Sequence, residues 1–373
     1  MKNYPLKSIT LEQAKKFQFK LIDLITKEFN GEEILDLGDL GVVQPLNQPN
    51  KTRKVEKVIA NFFEAEDCVL VIGSGTGAIR EAIASTLDKR KILIHASPVY
   101  STTETTLNQL GYEKIISNFN DYEEFKKSAE ENDIDTILIQ YTRQVIEDSY
   151  ELDKLIKIAK SISDTPIITD DNYAVMKVDR IGVQMGADLS CFSMFKLLGP
   201  ESIGCVVGKK KYIDKIRKFH YSGGSQVQGF IAMDALRSLV YTPVSFAIQA
   251  EETEKIVKYI RENNINFVEE AHVANSQSKV ILIKFTKPIA KEVLENAKLL
   301  GAASHPVGSE SKYEIAPMFY RISGSMREKN LDSDDYWIRI NPMRSGHETV
   351  LRILEESIGR CSDVSRENNW EKQ

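Results

Sequence analysis

Cysteine is scarce in this chain of 373 residues. Cys68, Cys191, Cys205 and Cys361 are far apart, and three of them lie in apolar, strand-like runs. That spacing excludes a disulfide framework or a zinc site and suits small buried hydrophobes in a reducing compartment. The five histidines are scattered, with no HExxH pair. No apolar stretch of membrane-spanning length stands out, so no transmembrane segment is expected. Excess positive charge is also missing: Lys+Arg 49 against Asp+Glu 54 gives 49 − 54 = −5. A nucleic-acid surface would cluster basic residues, and the short run Lys209-Lys210-Lys211 reads as a solvated turn. The opening Met1-Lys2-Asn3-Tyr4-Pro5 leads into a charged amphipathic segment instead of a secretory signal. A cytoplasmic, metal-free protein is the expectation.

What is present is an alternation of amphipathic helices with short apolar strands. Val55–Ala65 is helical by spacing, and Cys68-Val69-Leu70-Val71-Ile72 reads as a buried strand ending at Gly73. A helix from Gly77 to Leu87 and a strand Ile92–Ile94 follow. Further strands are expected at Thr136–Ile139, Pro166–Ile168, Leu189–Ser193 and Gly204–Val207, with helices at Tyr122–Glu131 and Leu152–Ser161. Unbroken apolar strands between amphipathic helices indicate an α/β fold whose mostly parallel sheet is covered on both faces. A long helix from Gln228 to about Asn263, interrupted near Pro243, leads to a smaller α+β domain. That domain holds strands at Lys279–Phe285 and Tyr336–Ile340 and helices at Ile289–Leu299 and His347–Ile358. The expected organisation is a large domain over 51–245, a small domain over 246–373, and an N-terminal segment, 1–50, packing with the small domain. The tail from Ser362 reads as frayed.

Lys196 is a cation in an apolar setting, Cys191-Phe192-Ser193-Met194-Phe195-Lys196-Leu197-Leu198-Gly199-Pro200. An ammonium there loses hydration unless it is paired, deprotonated or converted, for example to an imine with an aldehyde cofactor. The alternative is a stem that snorkels to solvent. Gly73-Ser74-Gly75-Thr76-Gly77-Ala78 lies between strand and helix, where free N–H groups and the helix dipole favour a phosphate. It also satisfies a dinucleotide fingerprint, but the next strand ends at His95-Ala96-Ser97 without the acidic residue that a ribose needs. A single phosphate, with hydroxyls from Ser74 and Thr76, fits better than a nicotinamide dinucleotide; a plain tight turn is the other reading. Asp170-Asp171-Asn172-Tyr173 follows a strand, where open α/β sheets place ligand groups. A carboxylate there could hold a heterocyclic nitrogen protonated, an attraction of roughly 4 kcal/mol at 4 Å and an effective dielectric of 20. Capping is the competing role, and one of the two aspartates is expected to fill it. Tyr100 could stack on a planar ring or simply pack in its loop. Arg339, in Trp337-Ile338-Arg339-Ile340, invites a carboxylate partner if it points inward; Arg344 is less constrained.

Together these pieces resemble the fold-type I pyridoxal-phosphate enzymes, the aminotransferase superfamily, in the order glycine loop, aromatic, aspartate, Ser-x-x-Lys, late arginine. The resemblance implies a Schiff base on Lys196 and phosphate contacts from Ser193, Ser74, Gly75 and Thr76. It further implies stacking by Tyr100, a pyridine-nitrogen pair with Asp170, Tyr173 facing the ring oxygen, and a substrate carboxylate on Arg339. Lys196-Leu197-Leu198-Gly199-Pro200 and Val206-Val207-Gly208-Lys209-Lys210 look like selenocysteine-synthase relatives, whereas Val99-Tyr100-Ser101-Thr102-Thr103 is similar to the cystathionine-lyase group. The usual motif before the aspartate is replaced by Gln140-Tyr141-Thr142-Arg143-Gln144, and no Tyr-x-Arg segment occurs near Leu46-Asn47-Gln48-Pro49. As a whole the chain resembles the uncharacterised aminotransferase-like branch. The expectation is a homodimeric aminotransferase using pyridoxal 5′-phosphate on a small amino acid. A lyase catalysing β- or γ-elimination is the alternative, and a cofactor-binding protein without turnover or a nicotinamide-dependent enzyme is the outsider.

Overall fold

The structure is a computed structural model that describes residues 3–143, 145, 147–274, 279–307, 310–322 and 333–361. The chain divides into two compact units. The larger comprises Leu6–Gln144 and Asp148–Val244; the smaller comprises Met1–Pro5, Val145–Glu147 and Ser245–Gln373.

The larger unit is built on a seven-stranded sheet. Its strands are β1 (Asp67–Ile72), β2 (Lys91–His95), β3 (Glu113–Ser117), β4 (Thr136–Gln140), β5 (Ile167–Asp170), β6 (Leu189–Ser193) and β7 (Ile203–Gly208). Their order is β1-β7-β6-β5-β4-β2-β3. Pairs from β3 through β6 are parallel, while β7 runs antiparallel to both β1 and β6. The strands read as unbroken apolar runs because helices cover both faces. On one face Ile79, Ala82 and Ile83 of α3 (Ser74–Thr86) and Ile213 and Ile216 of α7 (Lys210–Phe219) pack over Val69, Val71, Ile92 and Val206. On the other, Phe125 of α5 (Tyr122–Glu131) and Leu155 and Ile156 of α6 (Leu152–Ile162) pack over Leu93, Ile137, Ile139 and Ile167.

The N-terminal segment differs from expectation. Only Met1–Pro5 belongs to the smaller unit; the rest joins the larger one. Helix α1 (Leu11–Glu28) buries Ala14, Leu21 and Ile25 and sets Phe17 edge-on to Phe62 of α2 (Asn50–Phe62), with Lys20 donating to the Phe62 carbonyl at 3.0 Å. That amphipathic stripe finds its apolar partner in the neighbouring helix of the chain.

Helix α8 (Gly229–Glu262) carries Pro243 inside it, and the division between the units falls after Val244. An 18-residue window in this region reaches mean hydropathy 1.2, so an apolar run of spanning length exists after all, and half of that window is buried. Its apolar content reflects core residues such as Met233, Leu236 and Leu239, all inaccessible.

The smaller unit has a four-stranded antiparallel sheet in the order β10-β11-β9-β8: Met318–Tyr320, Trp337–Asn341, Ile281–Phe285 and Val268–Val273. One face packs Ile281, Ile283, Phe319, Ile338 and Ile340 against α9 (Ala290–Leu299), α10 (His347–Gly359) and the end of α8. This is the mostly parallel, two-faced sheet with a smaller α+β companion that the sequence implied.

Candidate active site

The candidate residues of the larger unit come from strand ends and helix starts on one side of the sheet. Strand β6 ends at Ser193, and a single 3-10 turn, Phe195–Leu197, carries Lys196. Met194 and Leu197 turn into the core, 0 % and 3 % exposed, while Lys196 projects the other way and is half-buried. Leu198 stops the turn in the left-handed region, φ 61°, and Gly199 follows because a Cβ there would lie 2.6 Å from the Met194 carbonyl oxygen. The lysine's Nζ lies 4.0 Å from the centre of the Tyr173 ring and 5.9 Å from that of Tyr100. Aromatic faces attract an ammonium, which answers the hydration problem posed by the apolar sequence around it.

The glycine loop opens α3. Ser74 Oγ and Ser193 Oγ are 2.5 Å apart, and Thr76 Oγ1 is 2.9 Å from Thr102 Oγ1. The first-turn N–H groups at Gly75 and Thr76 have no intrahelical acceptor, as at any helix start. The glycines themselves answer to protein neighbours. A Cβ on Gly75 would meet Asn172 Oδ1 at 2.6 Å, and one on Gly77 would meet the Ile72 carbonyl oxygen at 2.3 Å. Close packing of α3, and not only approach of an anion, fixes both positions.

The two aspartates separate cleanly. Asp171 is fully buried and closed off: its carboxylate accepts from Thr169 Oγ1 at 2.6 Å and from the Gly182 N–H at 3.4 Å. Burial pushes its carboxyl up to about 6, against hydrogen bonds from Ser190 and Thr169. Asp170 lies on the opposite face of the strand, since adjacent strand residues alternate. Its Oδ1 accepts from the Asn172 backbone N–H at 3.1 Å and from Asn172 Nδ2 at 2.8 Å. Burial raises Asp170 above the ordinary carboxylate range, opposed by Asn172 and by the charge of Lys196. Among the candidates, Asp170 is therefore the aspartate coupled to the lysine.

Asn172, given no site role from the sequence, is the bracket of this site. Its Oδ1 accepts the Ser193 backbone N–H at 3.0 Å while its Nδ2 holds Asp170. The only sequence signal for it was its place beside the paired aspartates. Asp148, also missed, gathers the β2–α4 loop: Ser97 Oγ donates to it at 2.9 Å and His95 Nε2 lies 3.1 Å away. That loop leads to Tyr100, 44 % exposed at the start of α4 (Ser101–Gln109). Ser74, Tyr173, Leu198 and Ser202 all have positive φ, between 58° and 66°. Such strain in non-glycine residues gathers at functional sites.

The structure thus brings together Ser74, Gly75, Thr76, Asp170, Tyr173, Ser193, Lys196 and Tyr100 within one unit. Arg339 belongs to the smaller unit, on β11. Its guanidinium lies 4.2 Å from the centre of the Tyr320 ring, and its Nε donates to the Arg321 carbonyl at 2.6 Å.

Comparison with known proteins bears on the fold, the family and the cofactor. The chain is 48% identical to protein YhfS of Escherichia coli (strain K12), over 96% of this chain and 99% of that one. The crystal structure of that pyridoxal-5′-phosphate-dependent protein superposes with a TM-score of 0.95. An L-seryl-tRNA(Sec) selenium transferase of Clostridium perfringens is 29% identical over 56% of this chain and 41% of its own length. A cystathionine γ-lyase of Micromonospora echinospora shares the fold, with a TM-score of 0.71 at 12% identity, covering 92% of this chain and 99% of its own. The profile of YhfS-like C-terminal domains matches residues 254–354. The profile of the Cys/Met metabolism PLP-dependent enzymes matches residues 47–291, two thirds of the chain, so this protein belongs to that family and its cofactor is pyridoxal phosphate.

Proposed function

We propose that this chain is a lyase-type member of the family, expelling a leaving group from the side chain of a small amino acid. The observation that carries the reading is the pair of phenols, Tyr173 and Tyr100, flanking the Lys196 amine at 4.0 and 5.9 Å to ring centres. Elimination needs a base at the α carbon and a second proton donor at the leaving group, whereas transamination needs one group that moves a proton between two carbons. Family membership favours the same choice. Transamination, the expectation from the sequence alone, is the second reading; it would use the same lysine and leave the second phenol without a task.

The donor set fits the cofactor. Two serine hydroxyls, Ser74 and Ser193, meet at the α3 N-terminus, a place suited to a phosphate. Asp170 is a buried carboxylate in need of a positive partner, which a protonated ring nitrogen provides. Tyr100 offers an aromatic face and Lys196 an amine for covalent attachment. When bound, pyridoxal phosphate supplies an electron-withdrawing ring that stabilises negative charge at the substrate α carbon. Lys196 takes the α proton once its nitrogen is displaced and neutral. Asn172 keeps the Asp170 carboxylate from rotating, Tyr173 shields the lysine, and Tyr100 delivers a proton to the departing group. Arg339 is assigned the substrate carboxylate on the strength of the resemblance, and Arg339→Lys should raise KM more than it lowers kcat.

The test is product analysis with L-cystathionine, L-cysteine and L-methionine as probes. Ammonia and a 2-keto acid formed without an acceptor support elimination, and Tyr100→Phe should slow it by roughly 10²–10⁴-fold. Product that forms only when a keto-acid acceptor is present would overturn the lyase reading. Lys196→Ala should lose the yellow colour and the borohydride-fixed mass adduct.

A homodimer is part of this proposal. Leu35, Leu37 and Leu40 are 77–82 % exposed, and Tyr221 and Tyr241 are 78 % and 66 % exposed. Hydrogen bonds link the segments that carry them: Arg237 Nη2 donates to the Ile34 carbonyl at 2.7 Å, and Asn47 Nδ2 to that of Tyr221 at 3.3 Å. Exposed large apolar side chains on linked segments favour a protein partner. Light scattering of Leu37→Asp against wild type would reveal a shift from dimer to monomer.

A further inference from the structure

Asp148 is a carboxylate only 4 % exposed, and the proposed reaction gives it no task. Side chains from two other segments of the larger unit donate to it. Asn120 Nδ2 reaches its Oδ1 at 3.0 Å. His95 Nε2 lies 3.1 Å from the same oxygen, and Ser97 Oγ donates to Oδ2 at 2.9 Å and to Oδ1 at 3.1 Å. The Phe119 N–H donates to His95 Nδ1 at 3.0 Å and so occupies the lone pair of that nitrogen. The ring proton therefore sits on Nε2 and is given to Asp148. Burial opposes the charge of Asp148, yet hydrogen bonds from His95, Asn120 and Ser97 hold its carboxyl below the ordinary range.

This carboxylate is itself held in place. His95 ends β2 and packs against the Phe119 and Tyr150 rings, 5.1 Å from the centre of each. Asn120 Oδ1 accepts the Ser149 and Tyr150 N–H groups at 2.7 and 3.1 Å, which fixes the backbone just beyond Asp148. What Asp148 holds in turn is the irregular stretch between β2 and α4, residues 96–100. Tyr100 closes that stretch: its carbonyl accepts the Thr103 and Glu104 N–H groups at 2.8 and 3.0 Å and so opens α4. Thr102 of that helix meets Thr76 of the glycine loop at 2.9 Å. Tyr100 is thus pinned behind by Ser97 on Asp148 and ahead by α4 on α3. A hydroxyl bound to a buried carboxylate is the stronger anchor, because charge-assisted hydrogen bonds exceed those between neutral hydroxyls at the surface.

We propose that Asp148 is a positioning residue for the reaction. Through Ser97 it fixes the loop that carries Tyr100, and so sets where that ring stands against the cofactor and beside Lys196, whose Nζ lies 5.9 Å from the ring centre. Asp148 acts only through Tyr100, whose task in turnover is the one proposed above. Holding the loop is a different matter from the chemistry of the phenol, and the two can be measured apart.

Visible circular dichroism of the cofactor-loaded protein reads the clasp without turnover, since the signal of a bound ring reflects its fixed neighbours. Ser97→Ala removes one half-buried hydroxyl and should weaken that signal. Asp148→Asn, which turns an amide N–H toward existing donors, should weaken it further. In a Tyr100→Ala background no ring remains to be placed, so Ser97→Ala should change nothing more. In turnover, Ser97→Ala should lower kcat for elimination roughly tenfold with little change in KM, because misplacement by about 1 Å costs up to about 10²-fold. Equal weakening of the dichroism with and without the Tyr100 ring, or an unchanged signal in Ser97→Ala, overturns the proposal; the cluster then serves the fold alone. If Tyr100→Phe turns over at the wild-type rate, the proton-donor role of Tyr100 falls, and the dichroism cycle still decides for or against the clasp. Should Asp148→Asn fail to fold, Ser97→Ala carries the test by itself.

Discussion

Gly75→Ala should damage this protein through Asn172, even in the absence of cofactor. The added Cβ would sit 2.6 Å from Asn172 Oδ1, 2.7 Å from Nδ2 and 3.0 Å from Cγ. A flexible surface side chain would swing away at little cost. Asn172 cannot, because its Nδ2 holds the buried Asp170 carboxylate and its Oδ1 holds the Ser193 N–H. Overpacking a filled interior costs about 1–3 kcal/mol, and loosening a hydrogen bond to a buried charge about 1.5–3 kcal/mol more. A combined loss of about 3 kcal/mol corresponds to a melting temperature lower by roughly 6 °C in a unit of this size.

The decisive assay is a double-mutant cycle followed by thermal melting of the cofactor-free protein. Asn172→Ala alone removes both hydrogen bonds. In that background the space is open, so adding Gly75→Ala should cost almost nothing, which makes the coupling about 3 kcal/mol. If the glycine were needed only for the phosphate to approach, Gly75→Ala would weaken cofactor binding and leave the cofactor-free melt unchanged. That result, or an equal drop in both backgrounds, refutes the argument.

Other consequences concern charge. Burial raises Asp67, but hydrogen bonds from Arg217 and Arg53 overcome it and hold the carboxyl down to about 2, from an ordinary 3.8. The pair therefore contributes about 2 kcal/mol that is present above pH 4 and lost as pH falls toward 2; melts of Asp67→Asn should lack this acid slope and sit about 2 kcal/mol lower at pH 7, since both arginines keep Glu56 as a partner. Asp171 has the opposite sign. Its carboxyl is raised to about 6, so its contribution is present at low pH and declines by about 3 kcal/mol as pH rises from 4 to 6, a decline that Asp171→Asn should abolish. Asp170→Asn should spare the cofactor-free melt more than Asp171→Asn does, yet it alone should shift the absorbance of the bound cofactor.

The parallel strands could be read because burial on both faces leaves a plain signal: Thr136–Gln140 and Leu189–Ser193 are buried throughout and carry no charged residue. Two edge strands could not, whereas the apolar edge strand β1 could. Glu113–Ser117 and Val268–Val273 each pair on one side only, carry charged residues, and so lack an apolar run. The site shows the same division. Lys196, Ser193 and Asp170 stand out because each breaks the pattern of its own segment, a polar group where a strand ends. Choosing Asp170 over Asp171 required knowing what lies on each face of β5: Thr169 and the Gly182 N–H close off one carboxylate, while Lys196 faces the other. Asn172 and the real constraint on Gly75 were further out of reach, since they depend on a helix meeting a strand end from 172 − 75 = 97 positions away in the chain. Residues that carry chemistry announce themselves by type, whereas those that position them are ordinary in type and special only in their neighbours. For this protein the consequence is concrete: a homologue with Lys196 and Asp170 intact but a larger residue at position 75 should retain the cofactor only if position 172 has shrunk to match.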